Sequence, residues 1–154
     1  METRMYIRTK YNVSKNKENR TCNGIVFDSG LEMQYYRDVV LPKMESGEIV
    51  KCKLQKPFIL QEEFRRNGKR VLPIKYIADF VLQYADGHEE IIDIKGYPDT
   101  NAILKRKLFW HRYPEKEYYW LTHSKKTGWI ELDEYEKMRK AKAKAKKEQA
   151  KNEK

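Results

Sequence analysis

Between Tyr76 and Asp99 the sequence reads YIADFVLQYADGHEEIIDIKGYPD, two alternating apolar runs joined at Ala85-Asp86-Gly87. This pattern predicts a β-hairpin over residues 74–95, and its turn chemistry sets which side chains meet. A three-residue loop with Gly87 in the left-handed position pairs Tyr84 with His88, Phe80 with Ile92 and Ala78 with Ile94 on one face. The other face then pairs Val81 with Ile91, Asp79 with Asp93 and Ile77 with Lys95. A two-residue Asp-Gly loop would slip the register by one and send the two acids to different faces. The first register matches its pairs in kind and is the one expected.

That register puts two carboxylates directly opposite each other, with Cβ atoms roughly 4.5–5.5 Å apart. Like charges so placed destabilise a sheet, and burial makes the repulsion worse. Lys95, two residues after Asp93, points to the same face and offsets one charge. A divalent cation between the acids would offset the rest, and paired carboxylate oxygens suit Mg²⁺, with Mn²⁺ as a substitute. Glu32 is a further candidate. It stands three residues after Ser29 in FDSGLEMQYYRDV, where it fits a capping box that bonds the Ser29 backbone N–H. Cap and metal ligand stay open as readings of Glu32.

Around the hairpin the order of elements is helix, three strands, helix, strand. Leu31, Tyr35, Val39 and Val40 recur at helical spacing, which predicts a helix over residues 30–40 ended by Pro42 and Gly47. Residues 49–60 read as a strand, with Pro57 marking an edge or bulge. Asn67-Gly68 marks a turn. Residues 100–114 form a second helix capped by Asp99 or Thr100 and stopped by Pro114. EYYWLTHS and GWIEL are the last strands, and a further helix starts at Asp133. This is an α/β chain, a central mixed sheet flanked by helices. The aromatics Tyr35, Tyr36, Trp110, Tyr118, Tyr119, Trp120 and Trp129 are expected mostly in the core.

The charge is uneven. The net charge is +10 over 154 residues, of which residues 1–20 carry +4 and residues 134–154 carry +5. Hence a basic flexible arm (1–20), a domain (21–133) and a Lys-rich tail, helical or disordered (134–154). Basic arms favour a polyanion, most simply nucleic acid. No apolar run approaches the roughly 20 residues of a membrane helix, and the N-terminal segment has no apolar signal core, so an intracellular protein is expected. Cys22 and Cys52 stand alone as free thiols, and His88, His111 and His123 are too scattered for a zinc spacing.

IADF (77–80) followed by IIDIKG (91–96) resembles the split motif of PD-(D/E)XK nucleases, with Ala78 where the motif name has Pro and Asp93 for the commoner Glu. The helix FDSGLEMQYYRDV, the QKPF strand and the Lys-rich helix after the motif extend the likeness over about residues 23–123. The nearest resemblance is to small phage-encoded members related to Holliday-junction resolvases and transposon-end endonucleases. The resemblance implies a restriction-endonuclease-like core in αβββαβ order and Mg²⁺-dependent hydrolysis of DNA, including branched DNA. It implies catalytic Glu32, Asp79, Asp93 and Lys95, with Asp79, Asp93 and Glu32 on the metal. Lys105 and Lys107 would meet phosphates or stand as ordinary helix lysines. Gln55 would line the cleft or be an ordinary strand residue. A homodimer, and the host-cell cytoplasm as the place of action, are family-level expectations. The alternative is a DNA-binding module that keeps the fold without catalysis. A basic RNA-binding protein is disfavoured, since the aromatic ribonucleoprotein strand motif and a Gly-x-x-Gly loop are both missing.

Overall fold

Alternating apolar runs with one helix between the third and fourth call for a mixed sheet, because a parallel neighbour needs a crossover long enough to hold a helix. The computed structural model describes residues 15–152, so most of the expected basic arm lies outside the described residues. Its end does not. Lys17–Arg20 form a 3₁₀ turn capped by Asn16, and buried Arg20 donates from Nη1 to the Phe27 carbonyl at 2.6 Å. The fold therefore begins before residue 21. Strands β1 (Thr21–Cys22) and β2 (Ile25–Val26) close a small hairpin over Asn23-Gly24.

Helix α1 (Gly30–Tyr35), a π turn (Tyr36–Val40) and α2 (Leu41–Glu45) follow without a break. Pro42 does not end the helix as expected. The Leu41 N–H reaches the Tyr36 carbonyl, five residues back, and this wider turn accommodates a residue that lacks an N–H. The helix stops at Gly47 (φ +78) instead. Of the expected stripe, Tyr35 and Val40 are buried and Leu31 and Val39 pack half-buried against the same core, and Glu32 and Tyr36 join the buried face.

Strand β3 (Ile49–Gln61) is a sheet edge, which is where Pro57 belongs. The short strands β4 (Phe64–Arg66) and β5 (Lys69–Val71) make a separate ribbon over Asn67-Gly68. Strands β6 (Ile74–Tyr84) and β7 (Glu89–Ile94) are the expected hairpin. Its loop is the three-residue one: the Tyr84 N–H bonds the His88 carbonyl at 2.9 Å, the Gly87 N–H bonds the Tyr84 carbonyl at 3.0 Å, and Gly87 has φ +94. Helix α3 (Thr100–Arg112), capped by Asp99, crosses over to β8 (Glu117–Ser124). β9 (Gly128–Glu131) and α4 (Leu132–Asn152) complete the chain. The five-stranded order is β3-β6-β7-β8-β9, antiparallel throughout except for the β7–β8 pair.

Two cores form, one on each face. α1 and the π turn cover Phe80, Leu82, Ile92 and Ile94, while α3 and the start of α4 cover Tyr76, Ala78, Val81 and Ile91 through Phe109 and Leu132. Trp110 departs from expectation: it is 46% exposed, with the Arg106 guanidinium stacked on its ring. Cys22 and Cys52 are free and half-buried beside the first core. From Lys137 on, every described residue of α4 is exposed, so the tail is a solvated helix. No helix is long and apolar enough to cross a membrane.

Candidate functional site

The pairing of β6 with β7 runs from Gln83–Glu89 to Phe80–Ile92, as the loop chemistry requires. It does not continue to the expected Asp79–Asp93, Ala78–Ile94 and Ile77–Lys95 pairs, so the two acids are not directly opposed in the ladder. Ala78 packs in the second core and Ile94 in the first, so they sit on opposite faces. Ile77 pairs with Pro57 on β3, and the Lys95 N–H bonds the Leu121 carbonyl of β8 at 2.8 Å. The cause is local. On β6 the residues at every second position split between the cores: Tyr76 and Ala78 serve one, while Phe80, Leu82 and Tyr84 serve the other. β3 turns over at the same level: Leu54 leans on the first core and Phe58 on the second. Gln55 sits at the crossing with φ +53, a left-handed conformation that interrupts the pleat.

Asp79 is next to Phe80 at that crossing and fills the gap where the strands part. Its Oδ2 accepts the Ile94 N–H at 2.8 Å, in place of a ladder carbonyl, and its Oδ1 lies 3.4 Å from Gln55 Nε2. Asp79 and Asp93 are 4% and 2% exposed. Lys95 Nζ stands 2.6 Å from Asp93 Oδ2. The Asp93 carboxyl is held well above the ordinary carboxylate range, by burial first and by the Asp79 charge second, while Lys95 pulls the other way. The structure thus brings Asp79, Asp93, Lys95 and Gln55 together.

Glu32 lies on the sheet-facing side of α1 and is 1% exposed. The cap is built through the Ser29 hydroxyl, which accepts the Glu32 N–H at 3.2 Å and donates to Glu32 Oε1 at 3.0 Å. A cap needs no buried carboxylate, and burying one is unfavourable. Tyr35, on the same helical face, packs its ring 5.2 Å from Phe80, beside Asp79. The turn into α1 reaches the site directly: Phe27 and Asp28 line one small hollow with Gln55 and Asp79. Asp28 is absent from the residues expected on sequence grounds; its only mark there is its place just before the N-cap.

On α3, Lys105 is half-buried and Lys107 is exposed. The cation that α3 turns inward is Arg106, stacked 4.0 Å over the Trp120 ring and paired with Asp133 at 3.0 Å. Lys95 Nζ lies 5.6 Å from the same ring. Behind Asp93, Trp120 Nε1 donates to the Tyr118 hydroxyl at 2.6 Å.

A second acidic cluster, which no sequence spacing announced, appears at the hairpin turn. Parallel pairing sets Glu90 opposite Glu117, and His88 joins them with ligand atoms within 4.8 Å of one another. His88 is stacked on Tyr84, its Nδ1 contacts the Asp86 carboxylate, and its pKa is raised by that hydrogen bond.

A family model described as "Protein of unknown function (DUF1064)" matches residues 8–128, a span that contains Glu32, Asp79, Asp93 and Lys95. No curated protein and no solved structure matches the chain.

Proposed function

We propose that this chain, which belongs to the DUF1064 family, is a divalent-metal-dependent endonuclease that hydrolyses DNA phosphodiester bonds on a restriction-endonuclease-like core. One observation carries the reading. Two buried carboxylates, Asp79 and Asp93, meet where β6 and β7 part, and Lys95 Nζ is 2.6 Å from the second. A stable core gains nothing from this set: with both acids ionised it keeps one uncompensated negative charge in a buried place.

The donors are hard oxygens on a rigid sheet, which fits Mg²⁺ or Mn²⁺. Such an ion, when bound, supplies a polarised phosphoryl group and an acidified water. Asp79 and Asp93 would hold it, and Glu32, buried at the N-terminal end of α1, would complete the set. Lys95 brings positive charge to the phosphoryl oxygens as negative charge builds on them. Gln55, through its amide near Asp79 Oδ1, orients that carboxylate. Half-buried Lys105 would meet a neighbouring phosphate. Branched DNA as substrate and a homodimer as the working form belong to the same proposal.

The test is cleavage of labelled linear, flap and four-way-junction DNA by wild type, Asp79→Ala, Lys95→Ala and His88→Ala, each with Mg²⁺, with Mn²⁺ and with EDTA. Wild type and His88→Ala should cut, and the other two should bind without cutting. A wild type that binds every substrate and cuts none would leave the inactive DNA-binding module in its place. Loss of cutting in His88→Ala alone would move the metal centre to the hairpin turn.

A further inference from the structure

The ribbon formed by β4 and β5 belongs to neither core. Between Phe64 and Val71 it carries Arg65, Arg66, Lys69 and Arg70, all exposed. Its turn is preformed, because Asn67 (φ +50) and Gly68 (φ +72) both take the left-handed conformation that a tight hairpin needs. Its rungs are unfavourable in isolation. Arg65 faces Arg70 and Arg66 faces Lys69, cation against cation. Two strands of three residues are marginal in water even without that repulsion.

The two sides of the ribbon differ. Arg70 is paired with Glu63 at 2.5 Å, and Arg65 donates to the Gly68 carbonyl at 3.3 Å. Arg66 and Lys69 share the opposite side, and among the described residues neither has an acid within ion-pair distance. Phe64 and Leu72 stand 45% and 64% exposed at the root. A two-stranded ribbon fits the major groove of duplex DNA, whose walls carry phosphates on both sides. The extended path from Asp79 back to Gly68 is at most about 40 Å, so ribbon and site can reach one duplex within about a helical turn of each other.

We propose that the β4–β5 ribbon is a clamp for duplex DNA, with Arg66 and Lys69 bound to backbone phosphates across a groove. The inference rests on the reading of the chain as acting on DNA. It adds an element outside the reaction centre that holds substrate without reading sequence. Phosphates between Arg66 and Lys69 offset the repulsion that the free ribbon carries.

Binding of the full chain to a fluorescein-labelled duplex of about 30 base pairs, followed by anisotropy in EDTA across KCl concentrations, tests this. Each phosphate contact contributes about 0.9 to the slope of log K against log salt. The double variant Arg66→Gln/Lys69→Gln should lower the slope by about 1.8 and weaken binding at about 0.1 M salt by roughly 60-fold, if counterion release is the whole gain. Lys125→Gln/Lys126→Gln removes the same charge from an exposed turn and should change the slope by far less. Thermal melts of both variants should match wild type. Equal losses in the two variants, an unchanged slope in the first, or no duplex binding by wild type overturns the clamp. So does loss of binding to phosphatidylserine vesicles with duplex binding intact. Cleavage separates this inference from the nuclease reading. A wild type that never cuts while the ribbon variant loses DNA removes only the nuclease, and a cutting wild type with a ribbon variant that binds normally removes only the clamp.

Discussion

Replacing Asp79 by Asn should stabilise the metal-free protein. The carboxamide oxygen of the new side chain can still accept the Ile94 N–H that Asp79 Oδ2 accepts at 2.8 Å, and the 2.6 Å pair of Lys95 with Asp93 is untouched. What disappears is the charge facing Asp93. The Asp79 charge is close enough to raise the Asp93 pKa, and two unit charges at a generic separation of about 5 Å repel by about 3 kcal/mol at an effective dielectric of about 20. A neutral acceptor for Ile94 gives back about 1 kcal/mol. The net gain is about 2 kcal/mol, which for a chain of this size raises Tm by about 4–8 °C. The pH dependence has a fixed sign. Asp93 has a raised pKa in the folded state, so the metal-free wild type loses stability as pH rises from the ordinary carboxylate range through that raised value. The advantage of Asp79→Asn is therefore small in acid and grows with pH. Excess Mn²⁺ should reverse the order, since wild type gains about 2.7 kcal/mol at a hundredfold over Kd and the variant gains little. Thermal melts of both proteins in EDTA and in Mn²⁺, at several pH values, decide it. A variant that melts below wild type in EDTA at alkaline pH, with equal Mn²⁺ shifts for both, would refute the charge argument.

Gln55→Gly should raise the urea midpoint by the equivalent of about 1 kcal/mol, because glycine accepts φ +53 without the left-handed penalty, and it should slow cleavage by freeing Asp79. Gln55→Val should do the opposite to stability, and a matching loss in both variants would argue against backbone strain at this position. Burial pushes the Cys52 thiol up to about 11, so at pH 8 it should react with a disulfide reagent far more slowly than a free thiol until the protein unfolds. The same shift makes Cys52 contribute stability below pH 9 that is lost as pH rises towards about 11, readable as a steeper fall of Tm in wild type than in Cys52→Ala.

What is legible in the sequence here is local. Ala85-Asp86-Gly87 specifies a loop, the loop specifies the register, and the register joins Phe80 to Ile92 and so brings Asp79 towards Asp93. Asn67-Gly68 and Asp99 act where local chemistry says they should. Gly47 ends the first helix as its type suggests, but the passage of the helix through Pro42 is not legible, because it depends on a π turn, which is a property of packing. Size alone would put Trp110 in the core, whereas α3 turns Phe109 inward and leaves its neighbour to Arg106. The hairpin-turn cluster depends on the parallel pairing of β7 with β8, which α3 separates in sequence.

The deeper miss lies in the periodicity. Tyr76, Ala78, Phe80, Leu82 and Tyr84 alternate without interruption, and such a run is read as one buried face. In the fold it is two faces joined at Asp79, and the partner strand turns over with it at Gln55. Pairing between β3 and β6 survives the crossing, with Leu54 opposite Phe80 and Lys56 opposite Ala78, so the twist leaves no gap or insertion in the pattern. Its only local sign is an ordinary glutamine in a left-handed conformation. Yet this crossing ends the β6–β7 ladder, frees the Ile94 N–H for a side chain and buries Asp79 beside Asp93. A regular hairpin would have kept the two acids on one flat face with their main chains fully paired. The irregular one opens the backbone at the point where the charges collect. Strain of this kind persists only where the surroundings enforce it, and here both cores do so from opposite sides of the sheet.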